Sequence, residues 1–95
     1  MNLRGKNICD FAIAVFGRTE QENMCIEECA ELIQAINKKH RGKAHNLAEE
    51  IADVEICLEQ LKMMNSCHAA VEIIKAEKLE RLCQRVIEKV NERGK

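Results

Sequence analysis

Thr19 to Ile36 reads TEQENMCIEECAELIQAI, and its apolar residues make sense only on a helix. Cys25, Cys29, Leu32, Ile33 and Ile36 recur at three- and four-residue steps and form one apolar arc at about 100° per residue. Glu27, Glu28 and Glu31 fall in a narrow sector beside that arc. Thr19 followed by Glu22 has the spacing of a capping box, which predicts a helix starting there and continuing to about residue 39. A second acidic stretch, NLAEEIADVEICLEQL at Asn46 to Leu61, repeats the arrangement. Asn46 with Glu49 predicts the start of a helix whose stripe is Leu47, Ile51, Val54, Leu58 and Leu61, with Glu50 and Asp53 on its flank.

Working outward, Ile8, Phe11, Ala12, Val15 and Phe16 predict a preceding helix over about 7–16, with Gly17 as its stop. The basic link Lys38-Lys39-His40-Arg41-Gly42-Lys43 separates the two acidic helices, and the third runs to about Met64. Asn65-Ser66 marks the last turn before a fourth helix that extends to about 92. The chain has 95 residues, no proline, four glycines and no alternating β-branched run. It is therefore expected to be all-α and a single domain over 1–95. Short links make neighbouring helices antiparallel, as in a four-helix bundle or a helical hairpin pair completed by a second subunit. Ile56 and Met63 lie half a turn from the main stripe of the third helix, and a second apolar side predicts homo-oligomerisation.

Composition excludes several classes. The apolar fraction is 46%, enough for a core, yet Phe11 and Phe16 are the only aromatics. No apolar run approaches the roughly 20 residues of a membrane span, and the N-terminus lacks a signal-peptide layout, so a cytoplasmic protein is expected. A net charge of −1 gives no overall attraction to nucleic acid, which is disfavoured as a partner. Six cysteines could suggest disulfides, but a helical core needs none, and reduced buried thiols are expected at Cys25, Cys29, Cys57 and Cys83, which fall on or beside apolar stripes. A zinc site from Cys25, Cys29 and His40 or His45 is disfavoured, because no C-x-x-C is present. His40, His45, His68 and Cys67 carry no sign of a catalytic task.

The acids do carry such a sign. No Lys or Arg occurs from Thr19 to Asn37 or from Ala44 to Leu61, so neither cluster has the i+3 or i+4 basic partners of ordinary surface helices. If the two stripes pack antiparallel, Glu28, Glu31, Glu50 and Asp53 converge, and close carboxylates must protonate or bind a cation. An all-oxygen set suits Mg²⁺, with Mn²⁺ as an alternative, and disfavours iron or zinc. Magnesium commonly binds through carboxylates together with substrate phosphates, so a phosphate-bearing substrate is implied. On the fourth helix Lys75, Lys78, Arg81 and Arg85 form a basic stripe that could hold phosphate oxygens. A solvated acidic face and a solvated basic face are the competing readings of these two patterns.

Glu27-Glu28-x-x-Glu31, then eighteen residues, then Glu50-x-x-Asp53 resembles the paired acidic signature of the all-α nucleoside triphosphate pyrophosphohydrolases, the MazG-like proteins and their dUTPase relatives. The resemblance spans roughly Gly17 to Leu82 and includes Gln21 before the first cluster and Lys78-Leu-x-Arg81-Leu after the second. It implies a MazG-like helical bundle assembled as a homodimer or homotetramer. It implies Mg²⁺-dependent cleavage of a (d)NTP between the α and β phosphorus, giving a (d)NMP and pyrophosphate, a house-cleaning role for the nucleotide pool. The matching metal ligands are Glu28, Glu31, Glu50 and Asp53, and the matching substrate-binding positions are Lys78, Arg81 and Gln21. Water attacks the α phosphorus, with Glu31 as the candidate base and Glu27 as its alternative. Because Trp and Tyr are absent, base recognition falls to Phe11, Phe16, Asn7, Gln21 or Asn23. The alternative from another class is a non-catalytic oligomeric helical interaction or regulatory module, whose acids are merely a surface.

Overall fold

The computed structural model describes residues 1–94, which form four helices: α1 (Leu3–Phe16), α2 (Arg18–His40), α3 (Leu47–Met64) and α4 (His68–Arg93). No strand is present among the described residues. The helix ends follow from local chemistry. Asn2 caps α1 by accepting the Gly5 N–H at 2.8 Å, which starts that helix four residues before the apolar pattern predicts. Gly17, at φ 91° and ψ 155°, both ends α1 and begins α2, a backbone state open in practice to glycine alone. The Thr19–Glu22 capping box therefore does not form: α2 starts one residue earlier, with Gly17 at its cap and no side-chain cap bond.

One stop signal closes both acidic helices. After α2 the Gly42 N–H bonds the Lys39 carbonyl and the Lys43 N–H bonds the Lys38 carbonyl, with Gly42 at φ 68°. After α3 the Ser66 and Cys67 N–H groups reach the Met63 and Lys62 carbonyls in the same way, with Ser66 at φ 49°. Both are Schellman motifs, whose reverse turn lets the chain fold back on itself. The resulting α2–α3 hairpin is the most extensive packing in the molecule, and α1 lies across both of its helices.

The pairing runs antiparallel. The Arg18 guanidinium donates to the Met64 carbonyl, closing the C-terminal end of α3. Further along, the Cys25 thiol donates to the Cys57 carbonyl at 3.3 Å, and beyond it Glu28 and Glu31 meet Glu50. Each step forward on α2 is matched by a step back on α3. The buried face of α2 is Gln21, Cys25 and Ala35, with Glu28 and Leu32 half-buried. That of α3 is Glu50, Cys57, Gln60 and Met64, with Asp53, Val54 and Leu61 half-buried. Both follow alternating three- and four-residue steps, as in a coiled-coil seam, with small thiol and methyl side chains that let the backbones approach.

This corrects the predicted stripes. Glu28, Glu50 and Asp53 lie in the seam rather than on its flank, Glu27 and Glu31 stay exposed, and several predicted core residues are exposed: Ile33, Ile36 and Cys29 on α2, and Ile51 and Leu58 on α3. In α1 the inner face is Cys9, Ala12 and Ile13, whereas Ile8, Phe11, Val15 and Phe16 point outward. α4 departs furthest from a closed bundle. It packs on α3 alone, through its first turn, and every residue from Glu72 to Gly94 is exposed. The chain is accordingly drawn out, with extents of 58 × 37 × 22 Å.

Candidate metal centre and active site

The middle of the α2–α3 seam is acidic. One oxygen from each of Glu28, Glu31 and Glu50 lies within 4.8 Å of the others. Glu50 is buried, Glu28 is half-buried and Glu31 reaches solvent, so the cluster opens from the seam outward. Glu50 Oε1 accepts the Asn46 side-chain N–H at 2.7 Å, whereas Glu50 Oε2 and Glu28 Oε2 are buried with no hydrogen-bond partner. Two orphaned carboxylate oxygens in a protein interior are costly, because each has given up water without a replacement donor. No Lys or Arg forms an ion pair with them among the described residues.

The electrostatics follow. Loss of solvent, then the charges of Glu31, Asp53 and Glu50, then a hydrogen bond shared with Asp53, push the Glu28 carboxyl up to about 7. Without a cation the cluster relieves its repulsion by holding a proton on Glu28 near neutral pH. A divalent cation answers the same problem better, since it supplies charge and ligand bonds to both orphaned oxygens. Hard oxygen donors alone match Mg²⁺ or Mn²⁺. The residues present therefore fit such an ion.

A pocket of about 160 Å³ adjoins the acids, lined by Gln21, Met24, Glu28, Asp53, Ile56, Cys57 and Gln60. Of the polar and aromatic residues considered from sequence for base recognition, Gln21 alone lines it. Phe11 and Phe16 stand exposed on α1, and Asn7 and Asn23 are exposed as well. Glu27, the alternative base, is exposed and outside the cluster. Lys78 and Arg81 sit on the free length of α4, lining a separate surface hollow with Leu82 and Arg85. One chain does not bring them to the acids.

Two residues escaped the sequence reading. Asn46 stands at the N-cap of α3 as expected, but makes no side-chain cap bond: its side chain holds Glu50, while His45 Nδ1 accepts the Leu47 N–H at 3.3 Å. Gln60, buried in the pocket wall, carried no signal beyond standing seven residues after Asp53.

The thiols are bystanders. Cys9, Cys25 and Cys57 are buried, and burial pushes the Cys57 thiol up to about 12, so it stays protonated. Cys29 and Cys83, expected to be buried, are exposed instead, because the seam closes on the other side of α2 and the length of α4 that carries Cys83 packs on nothing; none of the six forms a disulfide.

The model of the MazG nucleotide pyrophosphohydrolase domain matches residues 17–95. The chain belongs to the MazG family. No match was found among curated proteins or among solved structures. The matched segment starts at Gly17 and so takes in α2, α3 and α4, and with them every acid of the seam. α1 lies outside it.

Proposed function

We propose that this MazG-family chain is a Mg²⁺-dependent pyrophosphohydrolase that cleaves a (d)NTP to the (d)NMP and pyrophosphate, acting as a homo-oligomer in the cytoplasm. The observation that carries this reading is the pair of orphaned oxygens on Glu28 and Glu50, inside a carboxylate cluster without basic partners. Glu28, Glu31, Glu50 and Asp53 hold the cation, with Mn²⁺ an acceptable substitute. The ion, when bound, neutralises phosphate charge and lowers the barrier to attack at phosphorus.

The chain's own residues do the rest. Water attacks the α phosphorus, the bond from that phosphorus to the α–β bridging oxygen breaks, and pyrophosphate leaves. Glu31, the exposed carboxylate of the cluster, accepts the proton of the attacking water. Glu27 points to solvent outside the cluster, so Glu31 is the better placed of the two. Asn46 holds Glu50 in orientation through its 2.7 Å bond. Gln21 faces the nucleotide from the adjoining pocket. Lys78 and Arg81 meet the triphosphate from a second copy, since in one chain α4 touches only α3.

Assembly is supported by the apolar faces left open. Ile26, Cys29, Ala30 and Ile33 line one broad hollow on α2, and Val71, Ile74, Leu79 and Leu82 line another on α4. Contiguous exposed apolar surface of this kind marks an interaction site.

The deciding experiment is a panel of (d)NTPs assayed for pyrophosphate release with Mg²⁺ and with Mn²⁺. Turnover is expected with either ion and is lost with chelator. Glu28→Gln and Asp53→Asn are each expected to lower kcat by roughly 100-fold or more, the scale of removing one preorganised charge contact. Circular dichroism serves as the control for folding. No turnover across the panel would leave an oligomeric interaction module as the better reading.

A further inference from the structure

Glu59 is a buried carboxylate for which the acidic cluster has no use. It stands on α3 one residue before Gln60 of the seam and is 6% exposed. A charge at that depth is costly unless its oxygens are matched. Both of them are: His68 Nε2 bonds Oε1 at 2.9 Å, and Lys62 Nζ pairs with Oε2 at 3.4 Å. The His68 bond is the chief cause that holds the Glu59 carboxyl below its ordinary value.

The place of that grip gives it leverage. His68 is the first residue of α4, and Asn65, Ser66 and Cys67 alone separate α4 from α3. Lys62 belongs to the same corner, because its carbonyl accepts the Cys67 N–H at 3.1 Å. Glu59 therefore ties the last turn of α3 to the first turn of α4. Beyond that turn the helix runs free: every residue from Glu72 to Gly94 is exposed. A hollow of about 520 Å³, with Glu59 and Lys62 in one wall and Lys75 in the other, separates its second turn from α3.

Length multiplies any error at the corner. At about 1.5 Å per residue, Lys78 lies about 15 Å and Arg81 about 20 Å along the axis from His68. A swing of about 15° at His68 moves Arg81 by about 5 Å, more than the reach of a hydrogen bond. A basic side chain so displaced misses the phosphate oxygen it would meet.

We propose, resting on the pyrophosphohydrolase reading above, that Glu59 is a positioning residue: by gripping His68 and Lys62 it fixes the direction in which α4 leaves the hairpin, and so the place at which Lys78 and Arg81 meet the triphosphate of a second copy. It acts through α4 and touches no substrate.

Two measurements test the anchor, one of them free of catalysis. Residual dipolar couplings of the backbone amides, recorded without nucleotide or metal, report the direction of α4 relative to α2 and α3. In His68→Ala the couplings of α2 and α3 are expected to fit the wild-type hairpin, while α4 departs from its wild-type direction or loses a single one. Glu59→Leu, which fills the same space without accepting either bond, is expected to do the same and serves should the first variant fail to fold. His68→Gln, whose amide nitrogen replaces Nε2 as donor, is expected to restore the direction.

In steady-state assays with Mg²⁺ and a (d)NTP, His68→Ala is expected to raise KM about tenfold and to change kcat by less than about twofold. In a Lys78→Ala, Arg81→Ala background it is expected to add nothing, because the groups it misplaces are already gone. Reorientation of α4 in a chain whose wild type turns over no (d)NTP retires the reaction and keeps the anchor. An α4 direction unchanged by both variants overturns the proposal and leaves the reaction standing. So does a His68→Ala penalty that adds in full to that of Lys78→Ala and Arg81→Ala, the mark of a purely structural role.

Discussion

Glu28 and Glu50 occupy places in the α2–α3 seam that, Asp53 aside, its other members fill with a thiol, an amide or an apolar side chain. Their cost shows in how they titrate. The Glu28 carboxyl is raised to about 7 from the 4.5 of an unfolded chain, chiefly by burial and then by its acidic neighbours. Between those values the folded chain holds a proton that the unfolded chain has released, so stability is greatest below pH 4.5 on this account and falls as pH rises to 7. Glu59 works in the opposite sense. Hydrogen-bonded by His68 Nε2 at 2.9 Å and paired with Lys62 at 3.4 Å, it is held below its ordinary value. Its stabilisation is present above pH 4.5 and is lost as pH falls through the lowered value. In chelator, the melting temperature is therefore expected to peak near about pH 5, with separate declines on the acid and neutral sides. Glu28→Gln should abolish the neutral-side decline and leave the acid side in place. A wild-type melting temperature that stays level from pH 5 to pH 7.5 would contradict this account.

Among the elements, existence and type were legible in the sequence, because three- and four-residue apolar steps and the Gly17, Gly42 and Asn65-Ser66 breaks are local signals. Caps and buried faces were less so. Thr19 and Asn46 have the residue types of caps, yet Gly17 starts α2 ahead of Thr19, and Asn46, which does take the N-cap position of α3, turns its side chain to Glu50. The faces were misjudged because α2 and α3 are apolar around most of their circumference. Periodicity then cannot say which side small residues such as Cys25, Ala35 and Cys57 will close. The backbone at the turns offers a direct test. Gly17→Ala places a Cβ at φ 91°; nothing stands within 4 Å of it, so the whole penalty is conformational, about 1–3 kcal/mol. Ser66→Gly removes the strain of φ 49° and is expected to stabilise by up to about 1 kcal/mol. In a chain of this size that is a shift of several degrees in melting temperature in opposite directions, readable by calorimetry.

For the whole molecule, Ile56 and Met63 were reason enough to expect a partner, but the open surface is far larger. Ile26 is 68% exposed, Ile33 60% and Phe11 72%. Along α4, Leu79, Leu82 and Val86 share the exposed length with Lys78, Arg81 and Arg85. The basic stripe was legible as a stripe, whereas its distance from the acids was not, because short links say that helices follow one another and not that the last one closes the bundle. That Glu28, Glu31 and Glu50 come together was legible because they stand without basic neighbours, a property that survives any error in the stripe; Asp53, expected with them, lies outside that group of three. Gln60 was not legible, since a glutamine on a helix is common and only the cavity singles it out. Native mass spectrometry is expected to find a dimer or tetramer. Ile26→Asp combined with Ile33→Asp should shift it toward monomer, with loss of turnover that restoring either isoleucine partly repairs.

The exposed link of residues 41–46 joins two helices whose packing on each other is the most extensive in the molecule. Severing the backbone after Gly42 yields one piece with Glu28 and Glu31 and another with Glu50 and Asp53. Neither fragment holds the whole carboxylate cluster. Mixed together, they are expected to reassemble through the packing of α2 on α3, and size-exclusion chromatography that finds the two pieces running apart would show that the link is needed.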